Sequence, residues 1–226
     1  MRLPGSRDRA AAAFARAGRP PASTPWRQAG WCALDLELTG LNPRKDVIIA
    51  VGAVPIEDGR LLLGKALYSL ARTSKRSDRA AVLVHKLRVA DLADAPRIED
   101  VVTRLLETLS GRVPVFHTAA VEHAFLGPLL RRRWLRMPEA ADTEALGRLW
   151  LRQREGQAPA GLPLAMLAGR LGLPVESPHN ALGDALTTAK AFIALATHLD
   201  TRQPQTVSSL IQVDSRLGPV RRFGPG

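Results

Sequence analysis

The stretch "WCALDLELTG", Trp31 to Gly40, restricts the fold more than any other part of the chain. Its short apolar run closed by Thr39-Gly40 reads as a β-strand from Trp31 to Leu38. Alternate residues of a strand point to one face, so Asp35 and Glu37 share a side, about 7 Å apart along the chain. Leu34, Leu36 and Leu38 occupy the other side. Two carboxylates on one face are costly to bury unless something positive pairs with them. A divalent cation is the natural partner, because hard cations such as Mg²⁺ prefer oxygen ligands. The alternative is the solvent-exposed face of an edge strand.

The rest of the chain has the makings of a folded α/β domain. It has 226 residues, 46% hydrophobic and 23% charged, enough for a substantial core and too apolar for a disordered chain. After the first strand, "VIIAVGAVPIEDGRLLLGKALYSL" reads as two strands joined at Glu57-Asp58-Gly59, whose Asp-Gly pair is a hairpin turn signal. Three consecutive strands make an antiparallel meander. Ile98, Val101, Val102, Leu105, Leu106 and Leu109 have helical spacing. A short strand, "RVPVFH", precedes a helix containing Glu122. Further helices are expected from Asp142 to about Arg154, over Leu164–Leu171, and from Asn180 to about Leu199, with Asp142 and Asn180 as N-caps. Strands followed by strand–helix alternation imply a mixed sheet flanked by helices.

Two further stretches carry candidate chemistry. In "SPHNALGDALTTAKAF", an N-cap at Asn180 leaves His179 on the loop and Asp184 about one turn into the helix. A loop histidine beside an acid suits a general base, since imidazole titrates near neutrality; a capped surface helix is the bland alternative. "FHTAAVEHAFL", Phe116 to Leu126, places His117, Glu122 and His123 in an apolar segment. Its spacing matches neither HExxH nor HxxEH, which excludes those zinc-protease signatures. Cys32 is the sole cysteine and reads as a buried thiol, so no intramolecular disulfide or cysteine zinc site can form.

These three stretches, taken in order, resemble the motifs of the DnaQ-like (DEDDh) 3′–5′ exonuclease family on the ribonuclease H-like fold. "LDLELTGL" is similar to its first motif, "HTAAVEHAFL" to its second and "HNALGDALTTA" to its third. The similarity covers roughly residues 31 to 199. It implies that Asp35, Glu37, Asp184 and Glu122 bind two Mg²⁺ or Mn²⁺ ions and that His179 is the general base. It also implies contacts to the 3′-terminal nucleotide from Leu38, Thr39 and Leu41, with His117 in support. The implied reaction is two-metal hydrolysis of single-stranded DNA or RNA ends to nucleoside 5′-monophosphates. The second motif departs from the family, which has aspartate where this chain has Glu122 and asparagine where it has Thr118. Glutamate keeps the charge but lengthens the arm by one methylene. A nucleic-acid-binding pseudo-nuclease, or a proofreading or accessory subunit docked on a DNA polymerase, is therefore the alternative reading.

Charge agrees with a polyanionic partner: the formal net charge is +11. Arginine-heavy composition with abundant Ala, Gly and Pro also follows from GC-rich coding, so charge alone does not identify that partner. "RRRWLR", Arg131 to Arg136, could track a phosphate backbone with Trp134 stacking on a base, or could be a solvated helix end. Residues 1–29 read as a flexible basic arm with a short helix at Ala10–Ala17. Residues 30–200 read as the exonuclease domain and 201–226 as a polar tail. The expected partners are single-stranded 3′ ends and a DNA polymerase or other replication or repair protein. A homodimer is compatible with the sequence. No run long enough to span a membrane is present, and the cytoplasm is the expected location.

Overall fold

The structure is a computed structural model that describes residues 6–213. In chain order the helices and strands are α1 (Ser6–Ala17), β1 (Trp31–Leu38), β2 (Ile48–Glu57), β3 (Arg60–Leu61), β4 (Leu67–Leu70), α2 (Arg79–His85), α3 (Ile98–Leu109), β5 (Val113–Phe116), α4 (Ala120–Arg131), β6 (Ala141–Asp142), α5 (Thr143–Glu155), α6 (Leu164–Arg170), α7 (Ala181–Asp200) and α8 (Val207–Ile211). The strands form one sheet in the order β3-β2-β1-β5-β6, with β4 also on β2. The β1–β2 and β2–β3 pairs are antiparallel, whereas β5 runs parallel to β1 and β6 parallel to β5. This is the expected mixed α/β sheet of the ribonuclease H-like fold. The hairpin turn falls on Asp58 and Gly59, both at positive φ (51° and 67°), the backbone that a two-residue type I′ connection requires. The third strand of the meander is broken by a 3-10 turn at Leu63–Lys65, so β3 and β4 pair with different parts of β2.

The period of two in β1 sorts its side chains as expected. Trp31 and Ala33 enter a core with Trp26, Leu146, Trp150 and Phe192, on the face covered by α5, α6 and α7. Cys32, Leu34, Leu36 and Leu38 enter a second core with Val101, Leu105, Phe125 and Leu126 of α3 and α4. Asp35 and Glu37 continue the first row and so emerge on the α7 side. β5 pairs only as far as Ala33↔Val115. Beyond that register the outer half of β1 has no neighbour on its β5 side, and the notch lies at the carboxyl ends of the parallel strands. Ligands of open α/β sheets bind in crevices of that kind.

The helix that closes the notch is placed by a glycine. Gly52 stands opposite Asp35 in the β1–β2 register. A methyl group there would lie 2.0 Å from the carbonyl oxygen of Ala181 and 2.5 Å from the nitrogen of Leu182. The first turn of α7 therefore rests directly on the backbone of β2. Gly183 has the matching role on the loop side, where a methyl would meet the carbonyl oxygens of Glu176 and Ser177 at 2.4 and 2.5 Å.

Where a flexible arm and a polar tail were expected, the described residues are packed. Ala10 and Ala11 of α1 are buried, and Ala11 and Phe14 lie among Val102, Leu106 and Leu130. Trp26 is 1% exposed, and its ring meets Phe192 edge-on. Its N–H donates to the Gln205 carbonyl, while those of Val207 and Ser208 donate to the carbonyls of Thr24 and Ala22. Residues 22–26 and 205–208 are thus tied together, and Val207 and Leu210 of α8 are buried. The basic start of the arm (1–5) and the end of the tail, including "RRFGPG", lie outside the described residues. Among the described residues no helix is long and apolar enough to cross a membrane.

Gly52→Ala should lower Tm, by overpacking of about 1–3 kcal/mol or more. It should also weaken Mn²⁺ binding in calorimetry, because Asp184 moves with α7. Wild-type values for both would show that α7 does not depend on this contact.

Candidate active site

Four carboxylates converge on the notch from three elements. β1 supplies Asp35 and Glu37, the first turn of α7 supplies Asp184, and the first turn of α4 supplies Glu122. Asp35, Glu37 and Asp184 each place a carboxylate oxygen within 4.8 Å of the others. Glu122 stands apart from that trio but is the strongest like-charge influence on Asp35, ahead of Asp184 and Glu37. It is 5% exposed, and its Oε2 is buried with no hydrogen-bond partner among the described residues.

The electrostatics are those of an acidic cluster without a counter-charge. Burial first, then its three acidic neighbours, hold Asp35 well above the usual carboxylate range. Burial and then Asp184 push Glu37 up to about 7. Burial raises Glu122 to about 8, with Asp142 adding to the shift. Asp184 is raised by burial but eased by the backbone N–H and the ring of His179. Among the described residues no lysine or arginine offsets any of these shifts. An orphaned buried oxygen and a set of hard oxygen donors fit a divalent cation.

The loop ahead of α7 positions His179. Asn180 caps the helix as expected, its Oδ1 accepting from the N–H groups of Leu182 and Gly183 at 3.1 and 3.2 Å. His179 is exposed, at φ 61°, and its N–H donates to Asp184 Oδ2 at 2.9 Å. The loop is tied back along α7 by the Glu176 N–H, which donates to Thr187 Oγ1 at 3.0 Å, and by a Lys190–Glu176 ion pair. The imidazole is thereby held on the rim beside one member of the acidic trio.

A second network fixes Glu122. Asp142 caps α5, its Oδ1 accepting from Glu144 N–H at 2.9 Å. It also accepts from the N–H groups of Thr118 (3.3 Å) and Ala119 (2.9 Å) at the entry to α4. One carboxylate thus satisfies amides at two helix starts, which no spacing in the sequence announces. Thr118 has φ 65°, a conformation that asparagine tolerates and a β-branched residue does not. Its hydroxyl donates to Glu144 Oε2 at 2.9 Å.

The other four histidines and the expected nucleotide contacts fall in different places. His117 contacts Thr143 Oγ1 through Nδ1 at 2.9 Å, and burial lowers its pKa against the opposing pull of Asp142 and Glu144. It braces the β5–α5 junction. His123 is half-buried, edge-on to Phe116. His85 is buried at the end of α2, and exposed His198 stacks on Trp150. Leu38 is in the α3-side core and Leu41 is 79% exposed. Thr39, expected to offer its backbone to a nucleotide, is fully buried. Its N–H donates to the Val47 carbonyl and its own carbonyl accepts from Asp78 N–H. Its hydroxyl donates to Asp46 Oδ1 and accepts from Val47 N–H. Thr39 therefore clamps the loop that carries Leu41.

Tyr68 escaped the sequence reading. It stands opposite Gly52 in the β2–β4 register, so it follows Asp35 and Gly52 in one cross-strand row. Burial first, and then the Glu37 carboxylate, raise the pKa of its hydroxyl against the opposing influence of the Asn180 side chain. The sole tyrosine of the chain stood in "LYSL", but only the register reveals its neighbours.

A mixed sheet with acidic side chains gathered at the carboxyl ends of its parallel strands defines a ribonuclease H-like nuclease site. Comparison with known proteins carries this further. Residues 32–192 match the RNase T exonuclease family. The chain belongs to that DnaQ-like (DEDDh) family and is an exonuclease-family hydrolase. A DNA polymerase III subunit epsilon-like protein of Rhodobacter capsulatus is 32% identical over 204 residues, 89% of this chain but 28% of that protein. The PolC-type DNA polymerase III of Thermotoga petrophila is 29% identical over 175 residues, 74% of this chain and 12% of that protein. Among solved structures, exonuclease X in complex with 5′ overhanging duplex DNA superposes with TM-score 0.62 at 21% identity, over 81% of this chain and 98% of that one. The nuclease domain of 3′hExo, a DEDDh family member bound to rAMP, gives 0.59 at 14% identity, over 78% and 95%. At these identities the solved structures share the fold.

Two predictions follow from the site's electrostatics and backbone. Glu37 and Glu122 carry folded pKa values of about 7 and about 8 against an ordinary 4.5. The metal-free folded state thus holds protons that the unfolded chain releases, and stability falls as pH rises from about 4.5 to 8. Saturating Mn²⁺ should raise Tm more at pH 8 than at pH 5, in calorimetric scans at both. Thr118→Asn should gain about 1 kcal/mol by relieving the left-handed backbone, or roughly 2–4 °C in Tm; an unchanged or lower Tm would refute that strain.

Proposed function

We propose that this chain is a metal-dependent 3′–5′ exonuclease acting on single-stranded DNA or RNA ends. The observation that carries the reading is the convergence of Asp35, Glu37 and Asp184 within 4.8 Å, in a chain of this family. Asp35, Glu37, Asp184 and Glu122 would hold two Mg²⁺ or Mn²⁺ ions, which supply Lewis-acid polarisation of the phosphodiester and lower the pKa of water. His179 accepts the proton of the attacking water. The new P–O bond forms as the bond to the leaving 3′-oxygen breaks, releasing a nucleoside 5′-monophosphate. The Asp184 carboxylate orients the His179 loop through its backbone N–H. Exposed Leu41 packs against the terminal base from the loop that Thr39 clamps.

Glu122 supplies the fourth carboxylate in place of aspartate. Its buried, unpartnered Oε2 supports that role, because an uncompensated oxygen in this position is costly unless something binds it. A proofreading or accessory role beside a DNA polymerase is a second reading. It is favoured by the polymerase III names of the two curated relatives, which this chain matches over a minor part of their length.

Incubation of the chain with a 3′-labelled single-stranded oligonucleotide and Mg²⁺ or Mn²⁺ should release labelled mononucleotide. Glu122→Ala should reduce the rate by orders of magnitude, and His179→Ala by about 10²–10⁴-fold. Binding without cleavage in saturating metal would make the chain a pseudo-nuclease, and full activity in Glu122→Ala would reject the role of that residue. Copurification with a polymerase tests the second reading.

A further inference from the structure

The segment "RRRWLR" at the end of α4 takes no part in the site described above. Its backbone sends alternate residues in opposite directions. Arg133 is pinned inward, donating to Thr103 Oγ1 at 3.0 Å and to the Glu99 carbonyl. Leu135 packs on Leu130, Val102 and Leu106, and its N–H returns to the Leu130 carbonyl at 3.1 Å. Trp134, caught between these two anchors, is forced outward. It is 96% exposed and sits at φ 60°, a left-handed conformation that is strained for a bulky side chain.

The other three tryptophans are buried, between 0% and 6% exposed. Trp134 thus combines backbone strain with nearly complete loss of burial, and among the described residues no ring contact offsets either cost. Its surroundings are cationic. Arg131, Arg132 and Arg136 are exposed, and none of them has an acidic partner among the described ion pairs. α1 lies against the same apolar cluster and adds exposed Arg9 and Arg16. A fully presented indole among unpaired guanidinium groups is the composition of a stacking platform for single-stranded nucleic acid. The ring stacks on a base of any identity, and the arginines meet phosphates.

We infer that Trp134, with Arg131, Arg132 and Arg136, is a secondary binding platform for the 5′-ward part of a single-stranded substrate whose 3′ end occupies the acidic site. This rests on the proposed function. Trp134 lies three residues past the end of α4, whose axis rises about 14 Å from Glu122 to Arg131. At the 3.4 Å spacing of stacked nucleotides, a strand following α4 reaches the platform only when it has at least about five residues. The platform therefore discriminates by length, holding longer strands at the site and leaving the shortest unaided.

The test uses the full chain in EDTA for binding and in Mn²⁺ for turnover. Because the other tryptophans are buried, quenching of the exposed indole fluorescence by a dodecanucleotide reports on Trp134. Quenching is expected in the wild type and absent in Trp134→Ala. Trp134→Ala should weaken dodecanucleotide binding about five- to a hundredfold and raise KM to match, with the rise confined to substrates longer than about five nucleotides. Trp134→Phe, which keeps a stacking face, should recover most of the loss. Arg132→Ala should reduce the slope of log K against log salt by about 0.7. Equal dodecanucleotide affinity in Trp134→Ala and wild type overturns the platform while leaving the exonuclease reading intact. A change in sedimentation on Trp134→Ala, with no change in oligonucleotide affinity, would make the ring a protein contact and also overturn it. Failure of the folded wild type to bind any oligonucleotide overturns both.

Discussion

The contact between Gly52 and the first turn of α7 is the constraint on which the site depends. A helix normally packs on a sheet through side chains on both partners, at about 10 Å. Here the absent side chain lets the Ala181 backbone settle on β2 directly opposite Asp35. Asp184, one turn further on, is thereby carried within carboxylate distance of Asp35 and Glu37. A conventional helix–sheet spacing would leave it too far out to complete a metal site, which tolerates about half an ångström of misplacement. The loop glycine at 183 admits the His179 loop on the same principle.

Bringing like charges together costs folding free energy, and the fold shows how that cost is distributed. The cluster lies at the starts of two helices, where the backbone dipole favours negative charge. The trio sits in a notch where the sheet has ended on one side, so hydration is not wholly lost. Glu122 is the exception, buried and unpartnered, which makes it the member with most to gain from a cation. At the entry to its helix, Asp142 grips the two amides that open α4, and Thr118 bends into a left-handed conformation between them. The two departures of this motif, Thr118 and Glu122, thus lie four residues apart at the start of one helix.

Much of this was legible in the residues. The alternation in β1, the Asp-Gly hairpin, the spacing in α3 and the caps at Asp142 and Asn180 are local signals, and local hydrogen bonds and periodicities act on them directly. What escaped depends on contacts distant in sequence. Trp26 looked like part of a flexible basic arm because its partner, Phe192, lies far along the chain. α2 shows no apolar stripe, with Leu83 and Val84 exposed, and α8 is capped by Thr206 and Ser209 in place of the usual Thr–Glu pair. Thr39 could be placed beside the site but not seen to be saturated, since its partners Asp46, Val47 and Asp78 converge only after folding. Tyr68 needed the strand register.

The pairing of residues 22–26 with 205–208 has a consequence for architecture. The Val207 N–H donates to the Thr24 carbonyl, so the segment that leads into β1 and the segment that leaves α7 lie side by side. A unit whose entrance and exit lie side by side can be carried as a cassette within a longer polypeptide without tearing its core. Homologous segments occupy 28% and 12% of two larger proteins, and a closed seam of this kind lets a catalytic module move between such contexts with its geometry intact.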